Sequence, residues 1–337
     1  MKGYHMKKTV FGTCPIGTIH ACTLRNGNGM EAVILTLGGA VQKILVPTED
    51  GSTDVCLGYD AAEEYWNGEE YYGALIGRVA NRISGACFEL NGIRYALPAN
   101  EGSCTLHGGP ASFEKKLWHA EQEAENTLAL SYCSPDGENG FPGTLRVTVR
   151  YTLTEDNALR IDYTASADRD TPVNLTNHTY FNLNGGGSVL DHRLWIDAER
   201  FTVVNSEMIP TGERMPVDGT SMDFRTEKQI GRDIGDGTVK KAGLYDHNYC
   251  LNGSGLRRAA VLRGKNITME VETTAPGLQL YCEPYRTVMP GKVPYEDYCF
   301  VCLEAQGYPD AVHHPSFPGI ILPAGKVYRQ TTVYRFR

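Results

Sequence analysis

The sequence predicts an all-β protein built as one large antiparallel β-sandwich. Three observations carry this: strands with strict two-residue alternation, turn signals between them, and almost no helical periodicity. The clearest strand is Leu145–Leu153, where Leu145, Val147, Val149, Tyr151 and Leu153 share one face. Glu155-Asp156-Asn157 then turns the chain, and Leu159–Ala165 alternates again, so the two runs form an antiparallel hairpin with one buried face.

Shorter runs of the same kind occur at Ala32–Leu37, Val41–Val46, Cys87–Leu90, Arg94–Ala96, Thr127–Ser131, Leu194–Ala198, Ala259–Leu262, Ile267–Thr273, Leu278–Cys282 and Gln330–Phe336. Asn91-Gly92 and Asn252-Gly253 punctuate them, and 37 glycines and 17 prolines suit a chain that turns often. The best helical candidate is Asp60–Trp66, with a second turn near Ser112–Leu117. Many strands and few helices give a sandwich or barrel. Length alone, 337 residues, suggests about two domains. No linker or fixed-period repeat divides the chain, so residues 1–337 are read as a single domain.

Composition excludes several classes of function. With 41% hydrophobic and 21% charged residues the chain can bury a substantial core. The net charge of −8 and the lack of a dense Lys/Arg block argue against nucleic acid or an anionic membrane as partner. Lys2, Lys7 and Lys8 precede no apolar signal region, and no stretch approaches the roughly 18 apolar residues of a membrane-spanning helix. A cytoplasmic location is the default, and without a coiled-coil pattern so is a monomer.

The ten cysteines are scattered, unlike the dense framework of a small secreted domain. Cys299 and Cys302 have C-x-x-C spacing but fall in Tyr298–Glu304, which reads as a strand with the two thiols on opposite faces. With no second Cys or Cys/His pair, no metal site is expected, and the thiols are read as reduced. His313 and His314, adjacent in a Pro-rich loop, receive no role, because neighbours on one strand diverge.

Chemistry emerges when polar residues are placed on strand faces. In Val173–Leu183 one face carries Val173, Leu175, Asn177, Thr179, Phe181 and Leu183, and the other Asn174, Thr176, His178, Tyr180 and Asn182, all able to hydrogen-bond. A solvent-facing strand is the plain alternative, although such a strand usually carries Lys or Glu. Glu304 ends a row of Tyr298, Phe300 and Cys302, where burial would raise its pKa toward that of a general base. A strand-end carboxylate in water is the alternative there. Gln279 faces away from Leu278 and Leu280.

Gly77-Arg-Val-Ala-Asn-Arg-Ile83 followed by Thr105-Leu-His-Gly-Gly109 strongly resembles the signature of the aldose 1-epimerase (galactose mutarotase) family. Leu175–Leu183, Tyr245-Asp-His-Asn248, Thr273–Leu280, and Leu303-Glu-Ala-Gln306 with Pro309-Asp-Ala311 follow in the family's order, and the resemblance covers nearly the whole chain. It implies a galactose mutarotase-like supersandwich and interconversion of the α and β anomers of a free aldohexose such as galactose or glucose. It also implies that Glu304 is the general base on the anomeric hydroxyl and that a protonated His178 is the general acid on the ring oxygen. His107 would hydrogen-bond near that oxygen. Asn81, Arg82, Asp246 and Gln279 would hold the other hydroxyls, with Tyr180 on the face of His178. Plainer readings are that Arg82 pairs with a structural carboxylate, Asp246 caps a turn and His107 ends a loop whose glycines allow close backbone approach.

Ring opening moves one proton off and another on, so an acid and a base on opposite sides of the sugar suffice, with no cofactor or metal. Attraction between the two charges is expected to lower the pKa of Glu304 and raise that of His178. Two segments depart from the family pattern, each expected to border the sugar: Leu280-Tyr-Cys-Glu-Pro-Tyr285, where many relatives have Thr-Gly-Asn, and Gln306-Gly-Tyr308, where a Trp is common. A hexose-phosphate 1-epimerase of the same fold is one alternative, requiring cations beyond Arg82, with Arg78 nearby in sequence. A non-catalytic sugar-binding module is another.

Overall fold

The computed structural model describes residues 8–49, 51–235, 244–284 and 289–337. Three antiparallel sheets dominate it. A nine-stranded sheet runs, in spatial order, through His119–Ala124, Thr127–Ser134, Leu145–Leu153, Ala158–Ala167, Val327–Phe336, Thr268–Thr273, Arg257–Arg263, Arg193–Ile196 and Lys228–Gln229. A six-stranded sheet runs through Tyr180–Phe181, Val301–Gln306, Gly277–Cys282, Tyr245–Leu251, Ala198–Val204 and Pro210–Pro216. Lys8–Cys14 through Gly51–Asp54 form a five-stranded meander in sequence order. The predicted hairpin is present, with Leu153 opposite Leu159.

One hydrophobic cluster joins the two larger sheets. Val147, Val149, Tyr151, Ile161, Tyr163 and Tyr334 from one meet Leu278, Leu280, Val301, Leu303 and Tyr249 from the other. Hydrogen bonds cross the same interface: Tyr334 Oη donates to the Leu303 carbonyl at 3.2 Å and Gln330 Nε2 to that of Ala305 at 3.0 Å. Because alternate residues of the six-stranded sheet serve this core, the intervening ones, including Asp246, Gln279, Cys302 and Glu304, lie on its other face.

Among the described residues, helix is confined to a short α-helix, Ala62–Asn67, and four 3₁₀ turns, one of them Phe113–Lys115, matching the two helical expectations. The turn and the helix are linked. Lys115 Nζ donates to the carbonyls of Tyr65, Trp66 and Gly68 at 2.9, 2.8 and 2.9 Å, satisfying acceptors at the helix C-terminus. That anchors the following loop, which carries Glu69, Glu70 and Tyr71.

Two strand expectations need correction. Val173–Leu183 is not one alternating strand. Thr176–His178 pairs with Ala74–Ile76, Tyr180–Phe181 pairs with Val301–Gln306, and every residue from 173 to 183 is buried. Elements pack on both faces, so the short amides bond backbone groups: Asn177 Nδ2 donates to the Gly73 carbonyl at 2.7 Å, and Asn182 Nδ2 to that of Cys299 at 2.8 Å. The strand holding Glu304 starts only at Val301. Cys299 lies ahead of it, and both thiols pack in the same apolar cluster rather than on opposite faces.

Arg78 is buried, 2% exposed, and serves the fold. Its guanidinium donates to Ser134 Oγ (2.8 Å), the Pro142 carbonyl (3.0 Å), Thr171 Oγ1 (3.5 Å), and the carbonyls of Ser134 (3.1 Å) and Pro135 (2.8 Å). Arg78→Met strands these buried acceptors and should lower stability by about 3 kcal/mol or more, measured by urea unfolding, without changing KM for sugar.

Candidate active site

Two sequence motifs fold onto each other to build one wall of the site. Leu106 pairs with Arg82 and Thr105 with Ile83, which sets His107 beside Asn81. The His107 backbone N–H donates to the Asn81 carbonyl at 3.0 Å, and the Asn81 N–H donates to His107 Nδ1 at 3.1 Å. Both residues adopt positive φ, 62° for Asn81 and 52° for His107. Gly108 permits the approach, since a Cβ there would lie 2.3 Å from the Gly77 carbonyl oxygen.

Strand register builds the opposite wall. Asn248 lies opposite Gln279, and Gln279 opposite Glu304, so Asp246, Gln279 and Glu304 are gathered from three adjacent strands on one face. Tyr180 lies opposite Cys302, which brings His178 over the same strand. These walls enclose a cleft of about 270 Å³, close to the lower end of small-molecule cavities (about 300 Å³). Asn81, Arg82, His107, His178, Tyr180, Asp246 and Glu304 line it.

His178 Nε2 stands 3.6 Å from Glu304 Oε1, with both residues buried. This corrects the expectation of an acid and a base on opposite sides of the sugar, because no ring fits between them. Both instead face one end of the cleft. Glu304 Oε2 has no hydrogen-bond partner among the described residues. The His178 ring stacks on Tyr180 (centroids 4.9 Å, interplanar angle 23°) and on Tyr71 (5.7 Å, 23°), while His107 meets it edge-on at 5.3 Å.

Electrostatics reverse the expected polarity of the pair. Burial, reinforced by Asp246, raises Glu304 well above the ordinary carboxylate range, with Arg82 opposing. Burial pushes His178 down to about 4, against its own backbone carbonyl and Asp246. Desolvation therefore outweighs mutual attraction and favours the form with one proton shared by two otherwise neutral groups. His107 is held well below the imidazole range by burial, then by His178 and Arg82. Its Nδ1 accepts from Asn81, so the neutral ring carries its proton on Nε2 and serves as a donor.

A lowered imidazole pKa means that the pair gains its second, inactivating proton only near pH 4. The acid limb of kcat/KM should thus fall near pH 4, with little change through the ordinary imidazole value of about 6.5. Polarimetric initial rates across pH 3.5–8, checked against stability at each pH, measure this.

Arg82 does pair with carboxylates, as its plain reading had it, but inside the cleft. It donates to Glu101 from Nε at 2.5 Å and Nη2 at 2.9 Å, and from Nη1 to Asp246 Oδ2 at 3.5 Å. Gln279 does not line the cleft. Its Nε2 donates to Asp246 Oδ1 at 2.5 Å, so it orients that carboxylate from behind. Asn81 Oδ1 accepts the Arg82 N–H at 2.9 Å, leaving its amide NH₂ as what it offers a ligand.

Of the two departing segments, Tyr281 and Glu283 line the cleft, Tyr285 lies outside the described residues, and Tyr308 does not border it. Tyr308 packs on Phe317 at 5.3 Å in a separate apolar cluster. His313 and His314 do not diverge. In a turn, they approach Asp310 at 2.6 and 3.7 Å, and among the described residues no group of side chains suits a metal ion. Sequence reasoning missed Tyr71 and Glu101, whose only signal was proximity to the helix and to the Leu-His-Gly-Gly motif.

The family model for aldose 1-epimerase matches residues 20–335. The chain belongs to the aldose 1-epimerase family. Galactose mutarotase of Bos taurus is 39% identical over 340 positions, covering 98% of each chain. Aldose 1-epimerase of Haemophilus influenzae is 36% identical over 98% of this chain and 100% of its own length. The crystal structure of galactose 1-epimerase from Lactobacillus acidophilus superposes with a TM-score of 0.88 at 27% identity, covering 99% of both chains. Aldose 1-epimerase membership thus agrees with the motif resemblance, and the supersandwich is the fold of its structural neighbours. No helix among the described residues is long and apolar enough to cross a membrane.

Proposed function

We propose that the cleft opens and recloses the hemiacetal ring of a free aldohexose, with Glu304 and His178 exchanging one proton. The reaction of the family is an isomerisation of α and β anomers, which adds and removes no atoms. The single observation that carries the assignment is the 3.6 Å separation of His178 Nε2 and Glu304 Oε1 at one end of a polar cleft. A hemiacetal carries its hydroxyl oxygen O1 and ring oxygen O5 on the same carbon, so two neighbouring side chains can reach one each.

When the O1 hydroxyl donates to Glu304, it favours the ionised carboxylate, and the shared proton moves to His178. Glu304 then takes the O1 proton while His178 protonates O5. The C1–O5 bond breaks and leaves an aldehyde, with the pair back in the neutral form that burial favours. Rotation about C1–C2 exposes the other face of the carbonyl. Closure returns one proton from Glu304 to O1 and another from O5 to His178. His107 Nε2–H donates near the ring oxygen, while Arg82, Asn81 and Asp246 hold the hydroxyls, and Gln279 holds Asp246.

The free aldose is favoured over a hexose phosphate by charge. Besides the proton-sharing Glu304, five carboxylates line the cleft, Glu69, Glu70, Glu101, Asp246 and Glu283, against one guanidinium among the described residues. That guanidinium is already bound by two of them, and Arg78 is committed to the fold. Galactose 6-phosphate should therefore show kcat/KM at least about tenfold below galactose, increasingly so at low salt. Polarimetry with fresh α-D-galactose tests the activity itself. Rapid relaxation of optical rotation supports the reading. Tight galactose binding with no acceleration over buffer would favour a binding module.

A single domain is supported by a core cluster drawing on residues from Cys22 to Phe336. The scattering of the cysteines, unlike the dense framework of a small secreted domain, supports a cytoplasmic setting.

A further inference from the structure

We propose that Cys302 is a positioning residue for the acid–base pair, its sulfur accepting from Nδ1–H of His178 and so keeping Nε2 as the nitrogen that exchanges a proton with Glu304. The inference rests on the roles proposed above for His178 and Glu304.

The geometry comes from one strand. Cys302 and Glu304 are two residues apart in Val301–Gln306 and so project from the same face. His178 lies across them. Its Nδ1 is 3.7 Å from Cys302 Sγ, and its Nε2 is 3.6 Å from Glu304 Oε1. Both ring nitrogens are thus met by successive same-face residues of a single strand, and the Tyr180 and Tyr71 stacks hold the ring plane.

A thiol suits this position for a chemical reason. A neutral sulfur accepts a hydrogen bond only weakly. Beside neutral His178, whose Nε2 must be bare to take the shared proton from Glu304, the Nδ1–H donates to sulfur. The same bond persists in the imidazolium, so the proton exchanged with Glu304 comes and goes on Nε2 alone. No charge changes on Cys302 in either case, because burial holds its thiol well above the ordinary range. A carboxylate at this point would only accept and would fix the ring as imidazolium, leaving its proton harder to give up. The other titratable groups facing the ring are Glu304 at Nε2, Asp246 at longer range, and His107, Tyr71, Tyr180 and Tyr281 against its faces and edges. None of them places a carboxylate on Nδ1.

The test uses the full-length protein, galactose polarimetry across pH, and the variants Cys302→Ser, Cys302→Ala and Cys302→Asp. Cys302→Ser keeps a donor–acceptor group and should hold kcat within about threefold with the acid limb unmoved. Cys302→Ala should lower kcat about tenfold at unchanged KM. Cys302→Asp should move the acid limb upward by more than about one pH unit. Wild-type kcat and pH profile in both the Ala and Asp variants would overturn the proposal and leave Cys302 as packing. One measurement needs no variant: ¹⁵N shifts of the His178 ring in the wild-type protein at pH 7. Protonation at Nδ1 is expected, and a neutral ring protonated at Nε2 would overturn the proposal even if the variants fail to fold. Absence of wild-type epimerase activity would instead sink the reading of the site, which separates the two failures.

Discussion

Replacing Glu304 with glutamine should lower kcat for galactose by roughly 10³-fold while KM stays within about threefold. Glutamine keeps the shape and a carbonyl acceptor for the O1 hydroxyl but cannot take its proton. The variant should also be at least as stable as the parent. Glu304 is 2% exposed and its folded-state pKa is raised, so the ionised group costs stability as pH rises above the ordinary carboxylate value. A neutral amide removes that cost. Thermal unfolding at pH 7, run beside polarimetry, separates loss of the base from loss of the fold: a lower Tm for Glu304→Gln would contradict the burial argument.

His178→Asn should lower kcat by at least about 10²-fold. Asparagine retains hydrogen-bonding capacity but cannot cycle a proton. His107, 5.3 Å away between ring centroids, cannot take over, because its Nδ1 is held by the Asn81 N–H and burial keeps the ring neutral. Losing the ring also leaves a gap between Tyr71 and Tyr180, which should lower stability by about 1–2 kcal/mol, so a folding control is required. An intact fold with near-parental kcat would remove His178 from the chemistry.

Much of this site was legible because its strands alternate. The two-residue period set Gln279 on the face opposite Leu278 and Leu280 and Glu304 at the end of the Tyr298, Phe300, Cys302 row, whereas Asp246 came only from the motif resemblance; Leu278, Leu280 and Leu303 do serve the core. The same reasoning failed at Val173–Leu183, where packing on both sides erases the distinction between an inner and an outer face. His178 and Tyr180 were still placed together, because they lie two positions apart whichever strand each belongs to.

Other features lay beyond sequence. Glu101 meets Arg82 from 19 residues away through a loop whose path depends on tertiary packing. Tyr71 reaches His178 from a loop fixed by Lys115. Gln279 was assigned to sugar, yet a one-dimensional pattern does not tell a side chain that lines a cleft from one that braces a neighbour inside it. The direction of the proton pair was missed for a related reason. Proximity of opposite charges is visible in a motif, whereas the depth of burial that overrides it is set by the assembled walls.

Whether Glu304 and His178 act as one proton-exchanging unit is tested most directly by a double-mutant cycle in polarimetric rate with α-D-galactose. Wild type, Glu304→Gln, His178→Asn and the double variant are compared at one pH. The double variant should be about as slow as the slower single variant, because removing either partner disables the exchange. Losses that multiply, so that the double variant is slower by the product of the two single effects, would show two groups acting independently and would contradict that expectation.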